Sequence, residues 1–233
     1  FNNGAYAEFI RIPARIVSRN TYRIPAGVSY QDAALVEPLA CVMRGLDETG
    51  ARPGDSVAVI GLGPIGLMFV RLAKLLGARV IAIGRRVPQL ERAAALGADE
   101  LIAWDESGDP IGKVRRLTGG RGTDVAIEAV GNPETWLCAV EMARRGGVVN
   151  FFGGCPQDTV ANLDTNRLHY SEITCRSSFH HTPAYIRRSL EAISRGEISA
   201  EFFVNREEPL RNLLQVMRHL MSHNGHLKTA IIP

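Results

Sequence analysis

The sequence predicts an α/β fold built around a doubly wound parallel sheet. A short apolar run from Ser56 to Ile60 is typical of a strand that is buried on both faces. A glycine-rich turn follows at once and leads into an apolar helical segment. From there to Ser178, β-like runs alternate with helical segments, and such alternation is typical of parallel strands joined by crossover helices.

The chain before the glycine-rich turn has a less regular pattern. Its predicted strands are Tyr6 to Ile12 and Arg15 to Ser18. Ser29 and Asp32 have the spacing of a capping box and predict the start of a helix. Pro38 interrupts or restarts that helix before Leu39 to Leu46, and Pro53-Gly54-Asp55 marks a sharp boundary before the first buried strand.

Five further strands are predicted after the turn. They are Arg79 to Ile83, Glu100 to Trp104, Val125 to Val130, Val148 to Phe152 and Glu172 to Ser178. The helices between them each have proline in the first turn, and they are Pro88 to Leu96, Pro110 to Leu117 and Pro133 to Arg144. Six strands with crossovers predict the spatial order 3-2-1-4-5-6.

The tail departs from this alternation. It has predicted helices at Pro183 to Ser194 and Pro209 to Ser222, and predicted strands at Glu201 to Asn205 and Leu227 to Ile232. Because neither the tail nor the first ~35 residues fit the alternating period, we assign both to a second structural unit.

Composition excludes several classes of protein. The chain has 233 residues, 45% of them hydrophobic and 22% charged, as in an ordinary soluble protein. Its formal net charge of +3 is too small to argue for a nucleic-acid partner, and none is expected. No apolar run approaches the ~20 residues of a membrane span and no signal peptide opens the chain, so a cytoplasmic protein is expected. The four cysteines are widely spaced and form no C-x-x-C pair, which favours reduced thiols and disfavours a structural zinc site.

The glycine-rich turn predicts dinucleotide binding. Gly61 permits the tight bend, Gly63 lets a pyrophosphate approach the backbone, and Gly66 lets the helix approach the strand. Pro64 and Ile65 open the helix, whose free N–H groups favour phosphate. The alternative is a purely structural turn, but a second β-like run at the right distance favours the dinucleotide site.

The end of the second predicted strand favours NADP over NAD. NAD-preferring folds place an acidic residue there, about 20 residues after the turn, to bind the ribose 2′-hydroxyl. This chain has Gly84, which has no side chain, followed by Arg85 and Arg86, whose guanidinium groups suit a 2′-phosphate. The alternative is a solvated pair of surface arginines, and NAD is the alternative cofactor.

An ordered set of motifs resembles the zinc-dependent medium-chain alcohol dehydrogenases. The shared segments are Gly4 to Phe9, Glu37 to Cys41, Gly61 to Gly66, Leu96 to Asp99, Gly119 to Gly131 and Leu227 to Ile231. Within that family, F-F-G-G at Phe151 to Gly154 and H-Y-S-E-I at His169 to Ile173 are similar to the sorbitol (iditol) and threonine dehydrogenase branch.

The resemblance implies a division of the chain. Residues 1–36 and 183–233 would belong to a GroES-like catalytic domain, and residues 37–182 would form the six-stranded Rossmann domain. Members of the family carry an upstream portion with a catalytic Cys, a Gly-His-Glu zinc ligand pair and a proton relay. The chain begins without Met, and we expect about 100 upstream residues to be missing from it.

The resemblance also implies roles for individual residues. Glu37 would lie at the catalytic zinc, where a carboxylate is a suitable ligand, and its alternative is a solvated glutamate at a helix start. Lys228 would contact the pyrophosphate, with an ordinary surface charge as the alternative. The remaining cofactor-binding candidates are Val130, Gly131, Phe152, Gly153, Gly154 and Ser178.

Histidines offer further candidates. His180 and His181 follow the last strand of the sheet, where ligands bind in such folds, and His180 is the candidate catalytic residue for proton relay. The alternative is a pair of ordinary loop histidines. His219, His223 and His226 have partly metal-compatible spacing, but a solvated helix end is the favoured interpretation.

The function implied by the resemblance is an alcohol or polyol dehydrogenase. It would transfer hydride between a small secondary alcohol or ketone and NADP, with zinc in the full-length protein, while this chain by itself is expected to be inactive. The expected partner is a second copy of the chain, in a homodimer or homotetramer formed through the edge strand Glu172 to Ser178. The alternative is a zinc-free quinone-reductase-like protein or a non-catalytic NADP-binding module.

Overall fold

The computed structural model describes residues 4–104, 108–222 and 227–233. The chain divides into two compact units, one made of Phe1–Glu37 with Thr182–Pro233 and the other of Pro38–His181. Their boundary falls inside one continuous helix, α3 (Val36–Thr49), which is described whole with the second unit. Two histidines considered above, His223 and His226, lie outside the described residues.

The second unit contains one parallel sheet of six strands. The strands are β1 (Ser56–Ile60), β2 (Arg79–Gly84), β3 (Glu100–Ala103), β4 (Thr123–Glu128), β5 (Ala143–Phe151) and β6 (Thr174–Ser177). Their order is β3-β2-β1-β4-β5-β6, and every pairing is parallel, which confirms the predicted doubly wound sheet. All residues of β1 and β4 are buried because both faces of the sheet centre are covered.

Helices connect these strands and cover the sheet. After α3 they are α4 (Pro64–Leu75), α5 (Val87–Ala95), α6 (Pro110–Leu117), α7 (Pro133–Met142) and α8 (Thr165–Tyr170). Each helix from α4 to α7 has proline in its first turn, in agreement with the sequence. Asp109 and Asn132 strengthen two of these starts, accepting hydrogen bonds from Gly112 N at 2.7 Å and Glu134 N at 2.8 Å.

Strand β5 begins earlier than the sequence predicted. The predicted helix Pro133 to Arg144 ends at Met142, and the chain enters the sheet directly at Ala143, five residues before Val148. Thr123 pairs with Ala143 and Val125 with Val148, so the register shifts between the two pairs. The irregularity lets two glycines, Gly146 and Gly147, lie within the strand.

The buried carboxylate of Asp124 joins β1, β4 and β5 near their amino ends through hydrogen bonds. Asp124 accepts hydrogen bonds from Ser56 N at 2.8 Å, Ser56 Oγ at 2.6 Å, Arg144 Nε at 2.6 Å and Arg121 at 3.2 Å. Burial by itself would raise the pKa of Asp124, but the hydrogen bonds from Ser56 and Arg144 outweigh it and lower the pKa to about 2. The charged carboxylate therefore stabilises the junction of β1, β4 and β5.

The described residues of the first unit form four α-helices and a two-stranded sheet. Its helices are α1 (Ala14–Asn20), α2 (Tyr30–Ala33), α9 (Pro183–Ser194) and α10 (Leu213–Met221), and its strands are β7 (Arg206–Pro209) and β8 (Thr229–Ile232), which pair in parallel. Ser29 caps α2 as the capping spacing predicted, accepting a hydrogen bond from Asp32 N at 3.0 Å. Asp32 in turn accepts a hydrogen bond from Ala200 N at 2.6 Å.

Three predicted strands in this unit are wrong. Arg15 to Ser18 lies in α1, and Tyr6 to Ile12 has no regular strand, since no neighbouring strand pairs with it among the described residues. Glu201 to Asn205 begins in a turn of 3-10 helix, Ala200–Phe202. Ala200 and Phe203 are both buried, and their three-residue spacing suits a 3-10 turn better than the two-residue period of a strand.

Among the helices of the described residues, none has the length and apolar character that crossing a bilayer requires. The four cysteines, all of them within the described residues, form no disulfide.

The Asp124 junction predicts a loss of stability on neutralisation. We expect Asp124→Asn to lower the free energy of unfolding by about 2–4 kcal/mol, because Arg144 would then lack its buried partner. Chemical denaturation measures this change. Glu100→Gln is the matched control, since its ion pair with Arg79 is exposed and should contribute under about 1 kcal/mol.

The same carboxylate predicts a pH dependence. A lowered folded-state pKa means that the stabilisation is present above the ordinary pKa of 3.8 and is lost as the pH falls to about 2. Between these pH values the free energy of unfolding should fall less steeply for Asp124→Asn than for the original chain. Equal slopes would contradict the assigned role of Asp124.

Candidate functional site

The turn between β1 and α4 is closed by backbone contacts. Gly61 has a φ of +94°, which favours glycine, and its N–H donates a hydrogen bond to Ile83 O at 2.9 Å. A Cβ atom at Gly66 would lie 1.7 Å from the carbonyl oxygen of Gly61. The first turn of α4 therefore packs directly on the backbone of the loop, as the predicted role of Gly66 requires.

Gly63 is glycine for a different reason. It caps α4 with a φ of −70° and an extended backbone that any residue can adopt, and a Cβ atom there would have no atom within 4 Å. The helix that follows has Pro64 in its first turn and no acidic residue there. Open space beside an uncompensated helix N-terminus is the arrangement that binds phosphate groups.

The carboxyl end of β2 presents two exposed arginines. Arg85 and Arg86 follow Gly84, and both side chains are exposed. A Cβ atom at Gly84 would lie 2.8 Å from Leu62 Cδ1, so a side chain larger than hydrogen could be placed there only if Leu62 moved. The packing of Leu62 thus disfavours the acidic residue that an NAD-preferring site carries at this position.

A cavity of about 800 Å³ lies beside Arg85. Its lining includes Arg85, Trp104, Asp109, Pro110, Ile111 and Glu134. The cavity is large enough for a planar heterocycle with a sugar attached. Of these residues, the sequence predicted only Arg85 as part of a site, although Trp104, directly after β3, was an available signal.

The carboxyl ends of β4 and β5 meet in a second loop cluster. Glu128 is fully buried and accepts hydrogen bonds from Val130 N at 2.8 Å, Gly131 N at 3.0 Å and Thr135 Oγ1 at 2.7 Å. A Cβ atom at Gly131 would lie 2.4 Å from Gly154 O, so the two predicted glycine loops are in direct contact. Burial raises the pKa of Glu128, and these hydrogen bonds only partly oppose it.

An aromatic pair supports the same loops. The rings of Trp136 and Phe151 are stacked with centroids 4.0 Å apart, and Trp136 Nε1 donates a hydrogen bond to Gly153 O at 3.0 Å. Phe152 packs edge-on against Phe69 with centroids 4.9 Å apart. The predicted cofactor residues Val130, Gly131, Phe152, Gly153 and Gly154 are therefore brought together and held by buried groups.

Helix α3 is joined to the chain around β6 by a polar network centred on Glu48. Glu48 accepts hydrogen bonds from Ser178 Oγ at 2.6 Å and Arg44 Nε at 2.8 Å, and Arg176 lies 3.3 Å away as an ion pair. The hydrogen bond from Ser178 lowers the pKa of Glu48, and the hydrogen bond from Arg44 and the charges of Arg44 and Arg176 also lower it, against the effect of burial. Arg44 also donates a hydrogen bond to Phe179 O at 3.1 Å.

This network brings a candidate metal-binding set together. Glu37 and Cys41 are four residues apart in α3 and lie on one face of that helix. His181 follows the segment that Arg44 and Glu48 hold. One donor atom each of Glu37, Cys41 and His181 lies within 4.8 Å of the others. Carboxylate oxygen, thiolate sulfur and imidazole nitrogen are all ligands that zinc accepts, so the donor set fits that metal.

The other predicted residues have varied positions. Ser178 is buried in the Glu48 network. His180 is exposed, with a φ of +64° and its ring centroid 4.0 Å from that of Phe179, so its assignment as a proton relay stays a prediction. Lys228 directly precedes β8 in the first unit. His219 lies in α10, separated along the chain from the metal-binding set.

The sequence did not predict Cys41 as a metal ligand, and it suggested His181 only together with His180, as a residue for substrate binding or proton relay. Of His180 and His181, it is His181 that joins Glu37. Cys41 was set aside because the cysteines form no C-x-x-C pair, although its spacing of four from Glu37 within a helix was an available signal. The third donor could not have been paired with them, because it is 140 residues further along the chain.

Comparisons with known proteins give a consistent result. Residues 64–195 match the family model of the zinc-binding dehydrogenases. The chain is 30% identical over 233 residues to sorbitol dehydrogenase of Bacillus subtilis, covering 99% of this chain and 64% of that protein. It is 38% identical over 145 residues to L-threonine 3-dehydrogenase of Bacillus velezensis, covering 62% of this chain and 40% of that protein.

Solved structures are similar over nearly the whole chain. Alcohol dehydrogenase TADH from Thermus sp. ATN1 aligns with a TM-score of 0.87 and 33% identity, covering 98% of this chain and 67% of that one. A protein described as a zinc-binding dehydrogenase from Sinorhizobium meliloti, bound to NADP, aligns with a TM-score of 0.82 and 29% identity, covering 91% and 62%. The chain thus spans between 40% and 67% of the length of these relatives.

The turn geometry predicts that two glycine substitutions change the free energy of unfolding by very different amounts. We expect Gly66→Ala to destabilise the chain strongly, because its methyl group would overlap the carbonyl of Gly61 and the backbone would have to move. Gly63→Ala should change the free energy of unfolding by less than about 1 kcal/mol, since its methyl group meets open space. Thermal unfolding of both variants checks this, and equal effects would be inconsistent with the described turn.

Proposed function

The chain belongs to the zinc-binding dehydrogenase family, and from this premise we propose that it is the cofactor-binding part of an alcohol or polyol dehydrogenase. The reaction is hydride transfer between a small secondary alcohol or ketone and a nicotinamide cofactor, NADP in preference to NAD. The observation that carries the proposal is the turn at Gly61 to Gly66, which is closed at Gly66 and open at Gly63.

The loops at the carboxyl ends of the strands support the cofactor assignment. The open backbone at Gly63 and the start of α4 receive the pyrophosphate. The contact between Gly131 and Gly154 forms the wall against which the nicotinamide binds. Glu128 orients that wall by accepting hydrogen bonds from two successive backbone N–H groups and does not itself reach the ligand.

The choice of NADP rests on charge and shape together. Arg85 and Arg86 are exposed at the end of β2, and each can form charge-assisted hydrogen bonds to a 2′-phosphate. Leu62 fills the space in which an acidic side chain at residue 84 would stand. The cavity beside Arg85 receives the adenosine moiety of the cofactor. The NADP bound to the Sinorhizobium meliloti relative is in keeping with this choice.

We assign zinc and substrate to the amino-terminal end of α3, where Glu37 lies in the first turn. Glu37 is the residue through which this chain contributes to a catalytic zinc site, and zinc there supplies Lewis-acid polarisation of the alcohol oxygen. His180, exposed in the loop after β6, is our candidate for moving the alcohol proton to solvent. Two further assignments follow from the resemblance: the first unit is part of the catalytic domain, and Lys228 contacts the pyrophosphate.

We also propose a cytoplasmic location and a homo-oligomer. Four cysteines that form no disulfide are typical of a reducing compartment. Strand β6 is at the edge of the sheet, and its outer side has no neighbouring strand among the described residues. An edge strand of this kind pairs readily with its equivalent in a second chain.

Cofactor preference is the direct test of the proposal. We expect NADPH to bind this chain at least about tenfold more tightly than NADH, because charge-assisted hydrogen bonds contribute about 1.5–3 kcal/mol each. Fluorescence titration or calorimetry measures both constants. Arg86→Ala should weaken NADPH binding and leave NADH binding unchanged, whereas Gly63→Ala should weaken both.

Arg116→Ala is the matched control, because it removes an exposed arginine near the end of α6 without altering β2. Equal binding of the two cofactors would disprove the NADP assignment. If neither cofactor binds to a folded chain, the dehydrogenase assignment is disproved as well.

Association through β6 is tested separately. Light scattering at micromolar concentration should give at least the mass of a dimer, and Thr174→Lys should shift the population towards monomer by placing a charge on the edge strand. Arg206→Lys serves as a control in the other sheet. A monomer from the unaltered chain would contradict the proposed interface.

A further inference from the structure

We propose that Trp136 is a positioning residue for the nicotinamide half of the cofactor, because its indole N–H fixes the peptide unit between Gly153 and Gly154. This role rests on the proposed function in one respect, that the nicotinamide binds at the loops after β4 and β5. It adds a side chain of α7 that lies outside the glycine motifs, and it makes the backbone N–H of Gly154 a group that binds the ligand.

Trp136 lies near the start of α7, and this part of the helix is anchored to the sheet. The carbonyl of Asn132 accepts a hydrogen bond from Trp136 N at 3.0 Å. Thr135 Oγ1 donates a hydrogen bond to the buried carboxylate of Glu128 at 2.7 Å. The indole ring stacks on the ring of Phe151 in β5 with an interplanar angle of 10°. The direction of the indole N–H is therefore set by contacts with β4 and β5.

Gly153 is held from two sides. Its N–H donates a hydrogen bond to Glu128 O at 2.9 Å, and its carbonyl accepts one from Trp136 Nε1 at 3.0 Å. A Cβ atom on Gly153 would lie 2.7 Å from Glu128 Oε2 and would overlap the backbone nitrogen of Gly131, so a larger residue does not fit. Both backbone polar atoms of Gly153 are thus used within the protein.

Gly154 has the opposite surroundings. It is exposed, and a Cβ atom on it would have no atom within 4 Å. In a trans peptide the N–H of Gly154 points away from the carbonyl that Trp136 holds. No backbone carbonyl of the described residues accepts a hydrogen bond from this N–H. It is therefore available to an acceptor on a bound ligand, and the carboxamide oxygen of nicotinamide is such an acceptor.

The two glycines make the indole necessary. Glycine adopts a wider range of backbone angles than any other residue, so a Gly-Gly pair does not by itself fix the orientation of the peptide between its members. The hydrogen bond from Trp136 removes that freedom before the ligand arrives. A donor that is already oriented costs less entropy to use, so the nicotinamide binds more tightly and in one position.

Two ligands separate positioning from stability. NADPH carries the nicotinamide, whereas adenosine 2′,5′-bisphosphate carries only the adenosine half and its 2′-phosphate. Trp136→Phe keeps an aromatic ring beside Phe151 but removes the N–H donor. We expect this variant to bind NADPH about threefold to tenfold more weakly and the bisphosphate with unchanged affinity, as measured by calorimetry. A purely structural role of Trp136 would not separate the two ligands.

The fluorescence of bound NADPH gives a second readout. When it is excited in the near-ultraviolet band that tryptophan does not absorb, its emission reports how the nicotinamide ring is held. In Trp136→Phe the emission of the bound cofactor should shift towards that of free NADPH.

Gly154→Pro tests the backbone donor itself. Proline has no N–H and its Cβ would lie in open space, so NADPH should bind at least about threefold more weakly and the bisphosphate as before. Tyr170→Phe is the matched control, because it alters an exposed aromatic residue of α8 and should leave both affinities unchanged. Trp104→Phe, in the cavity beside Arg85, should instead weaken both ligands. Thermal unfolding verifies that each variant is folded.

Three results would overturn the role of Trp136. They are full NADPH affinity in folded Trp136→Phe, full NADPH affinity in folded Gly154→Pro, or equal weakening of the two ligands in Trp136→Phe. If the original chain binds both ligands and one of these results is found, only the role of Trp136 is refuted. If the original chain binds neither ligand, the proposed function is refuted and the role of Trp136 with it.

Discussion

The contact between Gly66 and the carbonyl of Gly61 is the constraint on which the site depends. A Cβ atom at Gly66 would lie only 1.7 Å from that oxygen, so no other residue fits and the start of α4 is pressed against the end of β1. Because β1 is at the centre of the sheet, between β2 and β4, that contact sets where the helix begins relative to both neighbouring loops. It also leaves Gly63 facing open space, where a phosphate can approach the backbone.

The two ends of the sheet carry different kinds of polar group. At the amino ends, Asp124 is held ionised by Ser56 and Arg144, and the result is stability. At the carboxyl ends, Glu128 has its pKa raised by burial and its oxygens are used to shape the loop at Val130 and Gly131. Two carboxylates four residues apart in one strand thus have opposite pKa shifts, because burial dominates at Glu128, whereas the hydrogen bonds from Ser56 and Arg144 outweigh burial at Asp124.

Glu48 joins α3 to the chain around β6, although the two segments are far apart in sequence. Its carboxylate joins α3 to Ser178, and the arginines on either side extend the connection to Phe179. A salt-bridge network of this kind contributes modestly to stability where it is exposed to solvent. Its more important effect is positional, since it brings a histidine that follows β6 to the face of α3 that carries Glu37 and Cys41.

Sequence alone determined the doubly wound sheet, its strand order and the glycine turn, because these follow from local patterns: apolar runs, prolines at helix starts and glycines at fixed spacing. It also predicted roles for Glu37 and the arginine pair, and these roles stay predictions. It was wrong on the strands at Arg15 to Ser18 and Glu201 to Asn205, where short β-like runs form helical turns. Only the tertiary structure revealed that Leu62 occupies the space beside Gly84, that Gly131 contacts Gly154, and that Cys41 and His181 lie near Glu37. Each of these depends on contacts between residues far apart in sequence, and local propensity carries no information about such contacts until the sheet has brought its strand ends to one edge.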